Sequence, residues 1–208
     1  RRAGFTRAYP MKSVLPPAAA WLLASALLAA ETRPLNVLFI AVDDLRPEAN
    51  ASGSALIKTP NLDRIAARGT TFDRAYCQQA VCSPSRSSLM TGRRPDATRV
   101  WDLETHFRTA LPDAVTVAQH FKNQGYHSQG MGKIFHGGFD DAPSWSVPWQ
   151  TPKAPPYGSA EAMKLQSTNV DQKGRGRGPA YESADVADDT FVDGKTARLA
   201  ARTLADLK

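Results

Sequence analysis

The run Leu35-Asn36-Val37-Leu38-Phe39-Ile40-Ala41-Val42 constrains the fold more than any other stretch of the 208 residues. It is almost continuously apolar and carries β-branched side chains, the pattern of a central parallel strand buried on both faces. It leads directly into Asp43-Asp44. In open α/β sheets the ligand crevice lies beyond the carboxyl ends of the strands, so these carboxylates fall where a site is expected. Two adjacent acids there offer hard oxygen ligands suited to Ca²⁺ or Mg²⁺. Taken alone, the pair also suits a solvated turn; the chemistry encoded downstream favours the ligand reading.

That chemistry begins at Cys82-Ser83-Pro84-Ser85-Arg86, continued by Ser87-Ser88-Leu89-Met90-Thr91-Gly92. Pro84 suits the first turn of a helix, where its missing N–H costs nothing. Cys82 then sits just ahead of a helix N-terminus, where free amide groups and the macrodipole favour an anion. Arg86, one turn in, adds a planar cationic fork matched to a tetrahedral oxyanion. The local reading is a sulfur side chain held over an anion pocket; the plainer one is a half-buried cysteine in an ordinary turn.

The whole run C-S-P-S-R-S-S-L-M-T-G resembles the signature of the type I sulfatases, in which the cysteine is oxidised to formylglycine. Gly125 to His136 resembles the second sulfatase signature, with Lys133 and His136 at its functional positions and Met131 where a smaller aliphatic residue is usual. V-D-D-L-R-P at 42–47, Q-Q-A-V-C-S-P-S-R at 78–86, T-G-R-R-P-D at 91–96 and G-K-I-F-H at 132–136 bring the resemblance nearest to the iduronate-2-sulfatase branch and its bacterial relatives.

The resemblance implies an α/β fold, an alkaline-phosphatase-like sandwich whose central, mostly parallel sheet is flanked by helices and is incomplete in this chain. It implies a sulfuric ester hydrolase that removes sulfate from a sulfated sugar, with a 2-O-sulfated uronate of a glycosaminoglycan as one candidate. Cys82, as formylglycine hydrated to a diol, would be the nucleophile. Arg86 would stabilise the modified side chain, Lys133 would bind sulfate and His136 would orient or share protons with the diol. Asp43, Asp44 and the modified Cys82 would hold one divalent ion, Ca²⁺ by family analogy. A formylglycine-generating enzyme or anaerobic maturase is the implied partner. The alternatives are a phosphoester or phosphonate hydrolase of the same superfamily, a non-catalytic binder of sulfated glycans, or an inactive fragment.

The family completes its metal site with an Asp and a His or Asn much later in the chain. No D-H-G or D-N-G element follows residue 140; Asp193-Gly194-Lys195 is not one, and Asp140-Asp141 and Asp188-Asp189 read as loop or helix-start residues. The expectation is therefore an amino-terminal part of a longer sulfatase, weak in metal binding and turnover by itself.

The rest of the chain supplies context. Residues 11 to 30 read as a secretory signal: Met11-Lys12, an apolar Leu15 to Leu28 too short for a membrane span and broken by Pro16-Pro17, then small residues before Glu31. The expected organisation is a leader and signal peptide at 1–30 and the amino-terminal part of the sulfatase catalytic domain at 31–208, giving a secreted or periplasmic protein, or a lysosomal one in a eukaryote. Cys77 and Cys82 could close a very short disulfide loop in an exported protein; the resemblance instead reserves Cys82 for oxidation and leaves Cys77 free. The formal charge of +6 is spread over irregular segments rather than one folded face with aromatic partners, which argues against nucleic acid.

Helices are expected at Thr59–Gly69, with Leu62, Ile65 and Ala66 packing on the sheet, at Thr116–Gln124, and from Thr190 onward with Ala197, Ala200, Leu204 and Leu207 on one face. His120 and His127 read as scaffold. Residues 142–180, rich in Pro and Gly and holding Trp145, Trp149 and Tyr157, read as an irregular excursion whose aromatics pin it to the body or stack on a sugar.

Overall fold

The computed structural model describes residues 34–207, in two compact units that divide between Ile40 and Ala41. The expected leader at 1–30 lies outside the described residues. In the first unit, residues 34–40 have no regular secondary structure, and Leu35 is 82% exposed. Ala41 and Val42, which open the second unit, are equally without it. The central strand expected over Leu35–Val42 is thus not formed among the described residues. A strand buried on both faces depends on ladder partners at either side. The described residues offer only isolated bridges, Ala49 with Ile57, Met131 with Gln150 and Val170 with Gly176.

The second unit is built from helices and well-anchored loops. Helix α1 spans Pro60–Ala66, with proline in its first turn and Thr59 at the N-cap position. The Thr59 hydroxyl donates to Asp63 (3.1 Å) and accepts from the Asn50 amide (3.0 Å) instead of capping the backbone. The helix ends at Ala66, short of Gly69, and Leu62 and Ile65 are exposed; among the described residues no sheet lies beneath this apolar face to cover it. Helix α2, Cys82–Thr91, follows extended Val81 and stops at Gly92, whose φ of 65° is left-handed and whose N–H reaches Ser88 O at 2.9 Å. Helix α3, Pro95–Thr98, is a single turn. Helix α4, Val117–Asn123, is capped by the Thr116 hydroxyl, which accepts from the Gln119 amide (3.1 Å), and the chain leaves it through Gly125 at φ 89°. Helices α5, Ala160–Thr168, and α6, Val192–Asp206, complete the set. Helix α5 lies inside the excursion expected to be irregular. On α6, Leu204 and the following Leu207 are exposed, so the expected apolar face is largely uncovered.

The core is small and specific. Met90, Val100, Phe107, Phe135 and Trp145 are buried together, with Ala114, Ala118, Ile134 and Trp149 packed around them. Phe107 stacks on Phe135 (centroids 5.7 Å) and Trp145 meets Phe135 edge-on (6.4 Å). Each such side chain contributes about 1.5–3 kcal/mol through burial, plus about 0.5–1.5 kcal/mol per aromatic pair.

A polar network closes over this core. Asp141, 1% exposed, takes two bonds from the Arg108 guanidinium and one from the Ser144 hydroxyl. Arg108 also donates to Pro112 O (2.7 Å) and Gln119 (3.1 Å), Ser144 pairs with the Thr116 hydroxyl, and Lys122 donates to Pro143 O and Trp145 O, each at 2.8 Å. Asp141 stands at the start of a short 3-10 turn, Ala142–Ser144, as its sequence context suggested, and is in addition buried. Burial pushes its carboxyl up, but the bonds from Arg108 and Ser144 outweigh that and hold it below the usual carboxylate range. The latch fastens the start of the 142–180 segment to α4.

Candidate active site

Cys82 is the first residue of α2 rather than the one before it. The helix turns Ser83, Pro84, Arg86, Ser87, Ser88 and Met90 inward and leaves Cys82 only half-buried. Its small serines suit close packing, and the sulfur stands at the helix start, where amide groups lack intrahelical partners.

Arg86, buried on the same helix, binds three stretches of chain at once. Its Nη2 and Nε donate to Asp43 Oδ1 at 2.8 and 3.3 Å, and its Nη1 donates to Lys133 O and to Ile134 O (3.1 Å). The guanidinium is thereby occupied by protein oxygens, an anchoring use that the sequence did not announce. Lys133 in turn donates from Nζ to Asp43 Oδ2, the oxygen that Cys82 Sγ approaches at 3.9 Å. One carboxylate thus carries two cations and touches the cysteine.

The electrostatics follow from that crowding. Burial raises the Asp43 carboxyl, but hydrogen bonds and charge from Lys133 and Arg86 prevail and hold it below its ordinary value. Burial lowers the Lys133 ammonium, and the bond and charge of Asp43, helped by Cys82, raise it overall. Both groups are charged across the physiological range.

Asp44 adopts a left-handed φ of 52°, unusual for a residue other than glycine, and this turns its exposed carboxylate toward the same place. One ligand atom each from Asp43, Asp44 and Cys82 lie within 4.8 Å of one another. Two carboxylate oxygens fit a hard divalent cation; a thiol does not, whereas an oxygen at position 82 would. Ca²⁺ takes six to eight oxygens, so this trio fits as part of a shell.

Five of the six expected site residues are therefore together: Asp43, Asp44, Cys82, Arg86 and Lys133. His136 is set apart from their hydrogen bonds. Its ring lies 6.5 Å from that of Phe139, and its Nδ1 is buried without a partner. His120 and His127 are exposed, away from these contacts, and Cys77 is an exposed free thiol.

The Lys133 segment is held by the tryptophan-bearing stretch that follows it. Ser146 N donates to Ser128 O (2.7 Å), Gln150 N to Gly130 O (3.2 Å), and Gly132 N back to Gln150 O (2.9 Å). The Trp149 indole donates to Gly132 O at 2.7 Å, and the Trp145 indole donates to Asp140 at 2.8 Å while its ring covers Gly130. A Cβ at position 130 would lie 2.7 Å from that ring, so only glycine fits. Both tryptophans are anchors, one of the two uses their setting among prolines suggested.

Comparison with known proteins identifies the family. A protein-family profile described as Sulfatase matches residues 35–193. The chain belongs to the sulfatase family, whose fold is of the α/β class. Among individual relatives, it is 38% identical over 183 residues to iduronate 2-sulfatase of Mus musculus, covering 85% of this chain and 33% of that protein. It is 42% identical over 139 residues to iduronate 2-sulfatase of Homo sapiens, covering 64% of this chain and 25% of that one. A sulfatase of Formosa agariphila is 46% identical over 111 residues, covering 49% of this chain and 21% of the relative. The chain thus spans about a third of the mouse protein and a quarter of the human one. No helix among the described residues is long and apolar enough to cross a membrane.

Proposed function

We propose that this protein carries the nucleophile half of a sulfatase centre that hydrolyses sulfate esters of a sugar, a 2-O-sulfated uronate being the substrate suggested by its iduronate 2-sulfatase relatives. The observation that carries the proposal is the convergence of Cys82, Asp43 and Lys133, with Arg86 behind them, inside a chain of the sulfatase family. Oxidised to formylglycine by a maturation enzyme and hydrated, position 82 supplies one hydroxyl to attack sulfur and a second to expel sulfate afterwards. A divalent cation, Ca²⁺ by analogy with the family, would be held by Asp43, Asp44 and the residue-82 oxygen and would supply Lewis acidity toward a sulfate oxygen.

The chain's own groups do the rest. Lys133 has an exposed, charged ammonium beside position 82 and is suited to bind a sulfate oxygen. Asp43 keeps that ammonium in place and charged. Arg86 fixes the distance between the Asp43 turn, α2 and the Lys133 segment. By the resemblance, His136 would exchange a proton with the diol or the leaving oxygen; its Nδ1 makes no hydrogen bond among the described residues. The same centre suits a sulfated carbohydrate as partner, and the formal charge of +6, carried mainly elsewhere in the chain, suits a polyanion.

The test is to isolate the protein as its own host makes it and to determine the mass of the tryptic peptide Ala75–Arg86, alongside release of inorganic sulfate from sulfated uronates and release of phosphate from matched phosphate esters. The expected result is an aldehyde at position 82 and sulfate release. An intact thiol with no ester hydrolysis would overturn the proposal, and preferential phosphate release would move it to phosphoester hydrolysis.

A further inference from the structure

We infer that Trp149 is a positioning residue for Lys133, acting through the Gly132 carbonyl; the inference rests on the reading of Lys133 as the sulfate-binding group. Lys133 is joined to its surroundings at two ends. Its ammonium is held by Asp43, and its own carbonyl is held by Arg86. What orients the peptide just before it is the indole N–H of Trp149, 2.7 Å from Gly132 O.

The Gly132 backbone needs such a holder. Its φ of 65° is a left-handed conformation with several alternatives open to a glycine, so the residue itself does not fix the direction in which Lys133 leaves. Three contacts select one conformation. Gly132 N donates to Gln150 O (2.9 Å), Trp149 closes on the carbonyl, and Thr196 of α6 lies where a Cβ would come within 3.1 Å of its methyl. Of these, Trp149 alone offers a side-chain donor. Its ring is half-buried against the core cluster of Phe135 and Trp145, so the donor is rigid. A rigid, partly buried donor aimed at a flexible peptide next to a functional lysine is a preorganising device: it restricts the lysine before any ligand arrives. The latch of Arg108 and Asp141 extends this support, because it fixes the turn from which Trp145 and Trp149 issue.

Trp149→Phe removes the N–H and keeps the ring. The first measurement needs no activity: the rate at which acetic anhydride acetylates Lys133, read by peptide mass spectrometry against exposed Lys58 and Lys164. The variant should acetylate Lys133 about threefold faster or more, with the two reference lysines unchanged, as expected when one ordering hydrogen bond is lost. Gly132→Ala, which strains the same peptide without touching the indole, should do likewise. The second measurement is sulfate release in the host-made protein. Trp149→Phe should lower kcat/KM about tenfold, and the same change on a Lys133→Ala background should lower it by less than about twofold further.

Lys133 acetylation unchanged in Trp149→Phe, acceleration shared by all three lysines in both variants, or an equal loss of activity on both backgrounds would each overturn the inference. If the Lys133 acceleration is found in a protein that releases no sulfate, the function proposed above fails and the positioning role stands.

Discussion

Two carboxylates in this molecule are each gripped by an arginine, and they behave differently. Asp141 is sealed, every oxygen matched by Arg108 or Ser144, and its partners belong to the loop and helix it joins. Asp43 keeps about a third of its side chain open to solvent, is approached by two cations and a sulfur, and has a second acid beside it. A saturated buried pair has nothing left to offer a ligand, so it is architecture. An open pair with charged groups of both signs beside it can exchange one partner for a substrate or an ion, as the proposed centre requires. The same ion pair on paper has two uses, separated by closure and by what stands next to it.

Experiments can press on that distinction. The largest effect expected is from Cys82→Ala, which should stop sulfate release altogether with little change in the thermal midpoint, because in the proposed mechanism no other residue supplies a diol; residual turnover above background would remove position 82 from the centre. Next is Arg108→Met. It leaves Asp141 charged and buried without its main partner, and should cost about 3–5 kcal/mol of stability in urea unfolding. A cost below about 1 kcal/mol would mean the sealed pair is ornamental.

Asp43→Asn should invert that pattern. Turnover should drop about 10²–10³-fold while the urea midpoint falls less than in Arg108→Met, since the amide oxygen still accepts and Arg86 keeps its carbonyl partners. Equal losses of stability at Asp43 and Asp141 would erase the contrast.

The smallest effect expected is with pH. The Asp141 carboxyl is depressed in the folded state, so the unfolded chain takes up its proton first as pH falls. The stability it contributes is complete above the unfolded value of about 4 and is lost as pH drops through the lower folded value. Urea midpoints measured from pH 6 downward should therefore fall below about pH 4, and fall less steeply in Arg108→Met. A variant as steep as the parent would assign the acid sensitivity to other carboxylates.

The elements that bring five of the expected residues together were legible where they carry local signals. Pro84 and Gly92 bracket α2, Thr116 and Gly125 bracket α4, and the acids at 43 and 44 stand out after an apolar run. The strand expected over Leu35–Val42 was not matched because periodicity reports what a segment could bury, not whether a partner is present to bury it. Leu62, Ile65 and Leu204 make the same point on helices. Asp141 was read correctly as a helix-start residue, but its burial and its pairing were not legible: its partner Arg108 lies 33 positions away, and no local rule links them. The anchoring use of Arg86 was hidden too, since backbone carbonyls leave no mark in a sequence.

The guanidinium of Arg86 has an evolutionary corollary. It fastens the acidic turn, the cysteine helix and the lysine segment through one planar group, so drift in any of the three must be tolerated by the other two. A lysine there would retain the charge but lose the second arm, unfastening one segment whichever way it pointed. Random libraries aimed at this centre should therefore yield few survivors when they vary one segment, and many when they vary the exposed rim. Changes of specificity are to be sought around this fastener, not in it.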